Sequence, residues 1–236
     1  MKIILISIGL MTSSICGVAG AAPFEKDAAP VGVATFQLVQ GDNVKGQMVY
    51  NTRFQGGAYI IDEATAMAPD IKETGTFVLD GETFEPLRII VDADFSGNIL
   101  DVDLRFSDGQ ANGDYRTKSP GDIEKTVTPF ALDLPKGTVT RASMFALVAA
   151  MPLNDGDVYP VKWFNSLAGQ LQDIDVTVMG EERVTVPAGD YDAIVVQFKN
   201  ATPENIVYVS RDARAVIRID VPSMDMRFER MPAEVH

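Results

Sequence analysis

A chain of 236 residues with 20 Lys and Arg against 33 Asp and Glu carries a formal charge of −13, which sets it against nucleic acid and anionic lipid headgroups as electrostatic partners over a screening length of about 10 Å. Its one Cys and one His, Cys16 and His236, exclude an internal disulfide, a His-based triad and a zinc site. No GxxxxGK[ST] element and no GxGxxG after a strand is present, so no phosphate-cradling loop and no cofactor is expected.

In chain order, residues 1–21 join Met1-Lys2, an apolar run over 3–11, Thr12-Ser13-Ser14 and Ala19-Gly20-Ala21. That is the pattern of a secretory signal peptide cleaved after Ala21, and it predicts a periplasmic protein. Cys16 follows Ser13, Ser14 and Ile15, not the small residue that a lipoprotein signal needs, so lipidation is not expected. Cleavage removes the cysteine and one lysine, leaving 215 residues with 19 Lys and Arg, 33 Asp and Glu and a charge of −14. Residues 22–30 lack periodicity and read as a flexible leader; residues 31–236 read as a single β-rich domain, long enough for an apolar core to hold it. No later apolar run reaches the roughly 18 residues of a membrane-spanning helix.

Strands are expected over 33–39, 44–54, 58–64, 75–79, 86–94, 99–106 and 122–132. Within them, VDADFSGNILDVDL (91–104) would form a hairpin around Gly97-Asn98, setting Asp94 opposite Asp101 and Asp92 opposite Asp103. Four carboxylates on one face could recruit a hard cation such as calcium, and these are the candidates for a metal. The plainer reading is a solvated outer face.

TRASMFALVAAM (140–151) has good helix formers, a cap at Thr140 and a stop at Pro152. It is apolar almost all round, which predicts burial. Downstream, Ile174, Val176 and Val178, then Ile194, Val196 and Phe198, then Ile217, Ile219 and Val221, then Met224, Met226 and Phe228 alternate with polar residues, the mark of antiparallel strands with one wet face. Pro187-Ala188-Gly189 sets a hairpin turn between two of them. The expected architecture is mainly β: a long curved antiparallel sheet, a half-barrel, partly enclosing one helix. A ligand held there would be lined by Met144, Phe145, Leu147, Val148 and Met151 of the helix, with Trp163, Phe198, Met224 and Met226; the same residues could simply fill the core. Asp173, Asp175, Glu181, Glu182, Asp190 and Asp192 are the acids available for glycan hydrolysis, and all sit at solvent-face parity or in turns.

VTVPAGDYDAIVV (184–196) fits V-x-x-P-A-G-[TD]-[FY]-x-A-x-x-V, and YVSRDARAVIRI (208–219) fits Y-x-x-x-D-x-R-x-x-x-R-I. With the helix and GDVYPVKWF (156–164) before them, residues 140–221 resemble a family of exported proteobacterial proteins carrying a domain of unknown function. The resemblance implies a curved sheet around a helix, similar in outline to periplasmic carriers and outer-membrane receptors that move lipoproteins, and it brings no catalytic residues. The function expected is a non-enzymatic periplasmic binding or carrier protein for an apolar or lipid-like ligand of the cell envelope. The alternatives are a structural or interaction module that binds an envelope protein and no small ligand, and a carboxylate-dependent glycan hydrolase.

Overall fold

Fifteen strands make one sheet in the computed structural model, which describes residues 23–233. The expected signal peptide, Cys16 and His236 lie outside the described residues. The first eight strands are β1 (Gly32–Gln40), β2 (Asn43–Gln55), β3 (Ala58–Met67), β4 (Ile71–Asp80), β5 (Pro86–Phe95), β6 (Asn98–Ser107), β7 (Gln110–Lys118) and β8 (Thr126–Asp133). After the two-residue β9 (Val139–Thr140) and helix α1 (Arg141–Leu147) come β10 (Val158–Asn165), β11 (Gln170–Val186), β12 (Gly189–Lys199), β13 (Asn205–Ser210), β14 (Val216–Val221) and β15 (Met226–Arg230). Two antiparallel meanders, β1 to β8 and β10 to β15, are joined where β1 pairs with β15, and β9 lies parallel to β10 at one end.

The expected half-barrel is overturned by this strand order. The sheet is open, running from β8 at one end to β9 at the other with no ladder joining them. Neither end strand is suited to closing a ladder: β8 is largely exposed and carries Pro129, and β9 is only two residues long. Where the two ends of the order meet, they do so through side chains. Phe106 of β6 lies edge-on to Phe164 of β10 with ring centroids 5.9 Å apart, and the Tyr115 hydroxyl of β7 donates to Ser166 O at 2.6 Å.

Period-two alternation places the core on one face. Tyr59 and Ile61, Phe77 and Leu79, Ile89 and Val91, and Val102 and Leu104 point there from four adjacent strands and are buried. α1 covers part of that face, with every residue from Ala142 to Leu147 buried. Seven residues are too few for a helix to be stable alone. Packing supplies the difference, at about 1.5–3 kcal/mol for each large apolar side chain removed from water. The expected cap is present as a full capping box: Ser143 N donates to Thr140 Oγ1 at 3.1 Å and Thr140 N donates to Ser143 Oγ at 2.9 Å. The helix is shorter than expected, because the chain tightens into a 3₁₀ turn over Val148–Ala150 before Pro152 holds Met151 extended.

Strand β7 goes unpredicted, because QANGDYRTK offers only Ala111 and Tyr115 as inward apolar groups. In the stretch expected as a leader, Lys26–Ala28 form a 3₁₀ turn, Phe24 packs edge-on to Phe84 at 5.7 Å and Glu25 N donates to Ala150 O at 2.8 Å. In β11 a bulge between Val178 and Glu181 reverses the alternation. Val184 and Val186 therefore leave the main core and bury against Ala193, Tyr208 and Ile217 in a second cluster.

Two glycines separate a turn from a close approach. Gly189, at φ 134°, follows the Pro187-Ala188 loop in a conformation that side chains rarely adopt. At Gly46 an added Cβ would stand 1.9 Å from the backbone oxygen of Ala66, so the β2–β3 ladder would have to open. Urea unfolding should show Gly46→Val losing about 3 kcal/mol or more and Gly189→Val about 1–3 kcal/mol. A Gly46→Val protein as stable as its parent would contradict the close approach.

Candidate functional site

The apolar face of the sheet and the first turn of α1 enclose a cavity of about 230 Å³. Its walls include four Met and four Phe, yet Tyr50, Glu63, Glu73 and Arg141 also line it. The ladders explain how these four meet. Tyr50 stands opposite Glu63 across β2 and β3, and Thr65 stands opposite Glu73 across β3 and β4. All therefore share the face of buried Tyr59, Ile61 and Phe77. Arg141 opens α1, the end where the helix dipole disfavours a cation; carboxylates in the same cavity and the Phe145 ring, 5.5 Å from its guanidinium, offset that cost.

Loss of water pushes the Glu63 carboxyl up to about 7, and the neighbouring Glu73 charge adds to the effect. Arg141 and hydrogen bonding from Tyr50 and Thr65 oppose it; the Thr65 hydroxyl donates to Glu63 Oε1 at 3.4 Å. Burial also raises Glu73, again opposed by Arg141, and holds the Tyr50 phenol well above its ordinary range. Asn205, 2% exposed, lines the same cavity; its Nδ2 donates to Pro203 O at 2.7 Å, and its Oδ1 has no partner among the described residues.

A second cavity of about 470 Å³ shares Tyr50, Phe145 and Ile219 with the first and is also lined by Phe36, Val216, Arg214 and Arg230. A third, of about 530 Å³, lies among the loops around Thr83, Ser107 and Gly137.

Of the nine residues expected to line a ligand, Phe145, Met224 and Met226 line the first cavity, and Phe145 lines the second as well. Met224 precedes β15 in a 3₁₀ turn and is 47% exposed. Met144, Leu147, Val148, Met151, Trp163 and Phe198 line none of the three cavities and are packed core, none more than 2% exposed. They serve the site indirectly: Phe198 stacks on Phe145 at 5.9 Å while Trp163 meets both rings edge-on. Sequence reasoning missed Tyr50, Glu63, Glu73 and Arg141. The available signal was an acid at inward parity, Glu63 after Tyr59 and Ile61.

The acidic hairpin does not assemble as expected. Its loop is Ser96-Gly97, with φ of 57° and 87°, both positive as a type I′ turn requires. This register sets Asp92 opposite Asp101, Asp94 opposite Ile99 and Asp103 opposite Ile90. Lys125 pairs with Asp101, Arg88 with Asp103 at 3.1 Å, and Asp94 accepts from Gly97 N at 2.6 Å. Among the described residues no group of three or more His, Cys, Asp or Glu could hold a metal ion, and no helix is long and apolar enough to cross a membrane.

A family model described as protein of unknown function (DUF3108) matches residues 27–225. No curated protein matches the chain. Among solved structures, the chain is similar to a β-barrel-like protein of a domain of unknown function, DUF1849, from Brucella abortus. The TM-score is 0.55 at 13% identity, covering 93% of this chain and 100% of that one, a likeness of fold alone. A protein described as exported, with a YmcC-like fold, from Bacteroides fragilis aligns with a TM-score of 0.30 at 12% identity over 91% of this chain and 100% of that one.

The raised Glu63 carboxyl gives stability a definite pH dependence. Between its ordinary range near 4.5 and about 7 the folded protein binds more protons than the unfolded chain, so stability falls as pH rises through that window. Glu63→Gln should raise the thermal midpoint at pH 8, by roughly 2–4 °C for each kcal/mol of charge burial relieved, and change it little at pH 4.5. An equal shift at both pH values would contradict the assignment.

Proposed function

The chain belongs to the family described as protein of unknown function (DUF3108), and from that premise we propose that it binds an apolar, lipid-like molecule between its sheet and α1. The supporting observation is the pair of adjoining cavities, about 230 and 470 Å³, meeting at Tyr50, Phe145 and Ile219. Pockets for small ligands span roughly 300–1,000 Å³, are mostly apolar and carry a few convergent polar groups. Met48, Met67 and Met226 give the smaller cavity adaptable walls. Its carboxylates stand among Met and Phe, surroundings that suit an alkyl chain and not a polyhydroxylated glycan. In this reading the protein is a binding or carrier protein and not an enzyme, exported to the periplasm by its N-terminal segment.

A second reading has its own observation. Among the described residues the outer edge of β8 lacks a ladder partner, while Val127 on that strand is 53% exposed and Ile123 just before it 93%. An envelope protein could add a strand there. Crosslinking from Ile123 in intact cells would yield one stoichiometric partner if this reading holds, and no adduct would remove it.

For ligand binding, the mature protein is purified from its host, extracted with organic solvent and measured by mass spectrometry. A near-stoichiometric apolar species is expected. Ile219→Trp, which fills the junction of the cavities at an overpacking cost of about 1–3 kcal/mol, should lose most of it while keeping the far-UV spectrum. A protein that carries nothing and takes up no apolar probe would refute the proposal.

A further inference from the structure

Resting on the apolar-ligand reading, we propose that the ligand bears an anionic headgroup, carboxylate or phosphate, held by Arg214 and Arg230. The lining of the 470 Å³ cavity includes these two arginines and no Asp or Glu, in a chain whose formal charge is −13. Elsewhere acids are abundant enough to pair Arg53, Arg88, Arg218 and Arg227 with carboxylates. Arg214 and Arg230 form no ion pair among the described residues, and both are half-buried.

Each arginine is held in place by a backbone carbonyl. The Arg214 guanidinium donates from Nη2 to Met151 O, just past the helical segment, while its backbone N donates to Ser210 O at 3.0 Å in the β13–β14 turn. Arg230 donates from Nη1 to Val216 O at 3.2 Å and stands 5.6 Å from the Phe36 ring. A guanidinium carries five N–H donors in a planar fork that matches carboxylate and phosphate oxygens. The single side-chain hydrogen bond found for each leaves donors free. Burial holds Arg230 below its ordinary value, with only Tyr191 opposing, as expected for a cation lacking a counter-charge.

The remaining walls define the rest of the ligand. Phe36, Val216, Phe145 and Ile219 line the same cavity as the arginines, and Phe145 and Ile219 line the smaller cavity too, apolar walls that suit an alkyl chain. The acidic surface repels an anionic bilayer at long range, but inside the cavity the nearest charges dominate, because Coulomb energy grows as separation and effective dielectric fall. The design would favour a single anionic amphiphile over docking on a membrane.

The test uses delipidated mature protein titrated calorimetrically with four C10 probes: decanoate, decyl phosphate, decanol and decyltrimethylammonium. Inorganic phosphate alone is the fifth arm. Decanoate or decyl phosphate should bind at least about 10-fold tighter than the neutral and cationic probes, and Arg214→Gln or Arg230→Gln should weaken the anionic probes by about 10- to 100-fold while leaving decanol unchanged. Arg214→Gln, in a turn, decides the matter if Arg230→Gln does not fold. Equal affinity for decanol and decanoate, or an anionic preference that survives both substitutions, overturns the headgroup assignment and leaves the apolar reading standing. Inorganic phosphate binding as tightly as decyl phosphate overturns it in favour of a bare anion site. Failure of every decyl probe overturns both proposals.

Discussion

An open sheet of fifteen strands with one apolar face has to keep that face from water, and α1 supplies only seven residues to do it. The other features of the molecule follow from this shortage. The helix is buried on all sides, so its polar terminus is satisfied internally by the Thr140 and Ser143 capping box. The opposite ends of the strand order finish the cover with side chains, Phe106 and Phe130 against Phe164. Where neither helix nor end strands reach, space remains beside Phe145, and that space is the candidate site.

Charge in this protein divides by face. On the wet face, acids and bases stand on neighbouring strands and neutralise one another, as Arg88 with Asp103 and Arg53 with Asp62 do; such pairs contribute little to stability in water. On the apolar face the few charged groups are half-buried and have lost part of their water. Glu63 and Glu73 share one cavity with a single arginine, and Arg214 and Arg230 share the next with no acid in its lining. An ionised group kept in such surroundings lowers stability unless something compensates it, which is why these positions, and not the acidic hairpin, carry the functional argument.

The two motif elements behind the family resemblance serve different ends. The Pro187-Ala188 loop sets the β11–β12 register, and with Ala188 N donating to Arg230 O at 3.0 Å it ties that hairpin to β15. The β13–β14 element places Tyr208 and Arg218 together, ring and guanidinium 5.0 Å apart, while its turn delivers Arg214 to the 470 Å³ cavity. A hairpin motif thus becomes part of a site only through what its turn touches.

Most strands, the capped helix and its burial were legible in the sequence, because period two, apolarity all round and a Thr at the N-cap are local consequences of side-chain chemistry. β7 was not, since its inward positions are Ala111, Gly113 and a half-buried Tyr115, too little apolar surface to show a pattern. The hairpin register at Ser96-Gly97 was not either: Gly97 fits more than one two-residue loop, and one step of slip changes which aspartates face each other. Phe145 and Met226 were visible as apolar residues at core parity, but core and cavity wall look alike in sequence. The sequence by itself determined which faces are apolar, where the chain turns and how acidic the surface is. Only the tertiary structure decided that the sheet stays open, that Glu63 and Glu73 share one cavity and that Arg214 and Arg230 line the next. Those are pairings between distant segments, and local periodicity carries no information about which strand lies next to which.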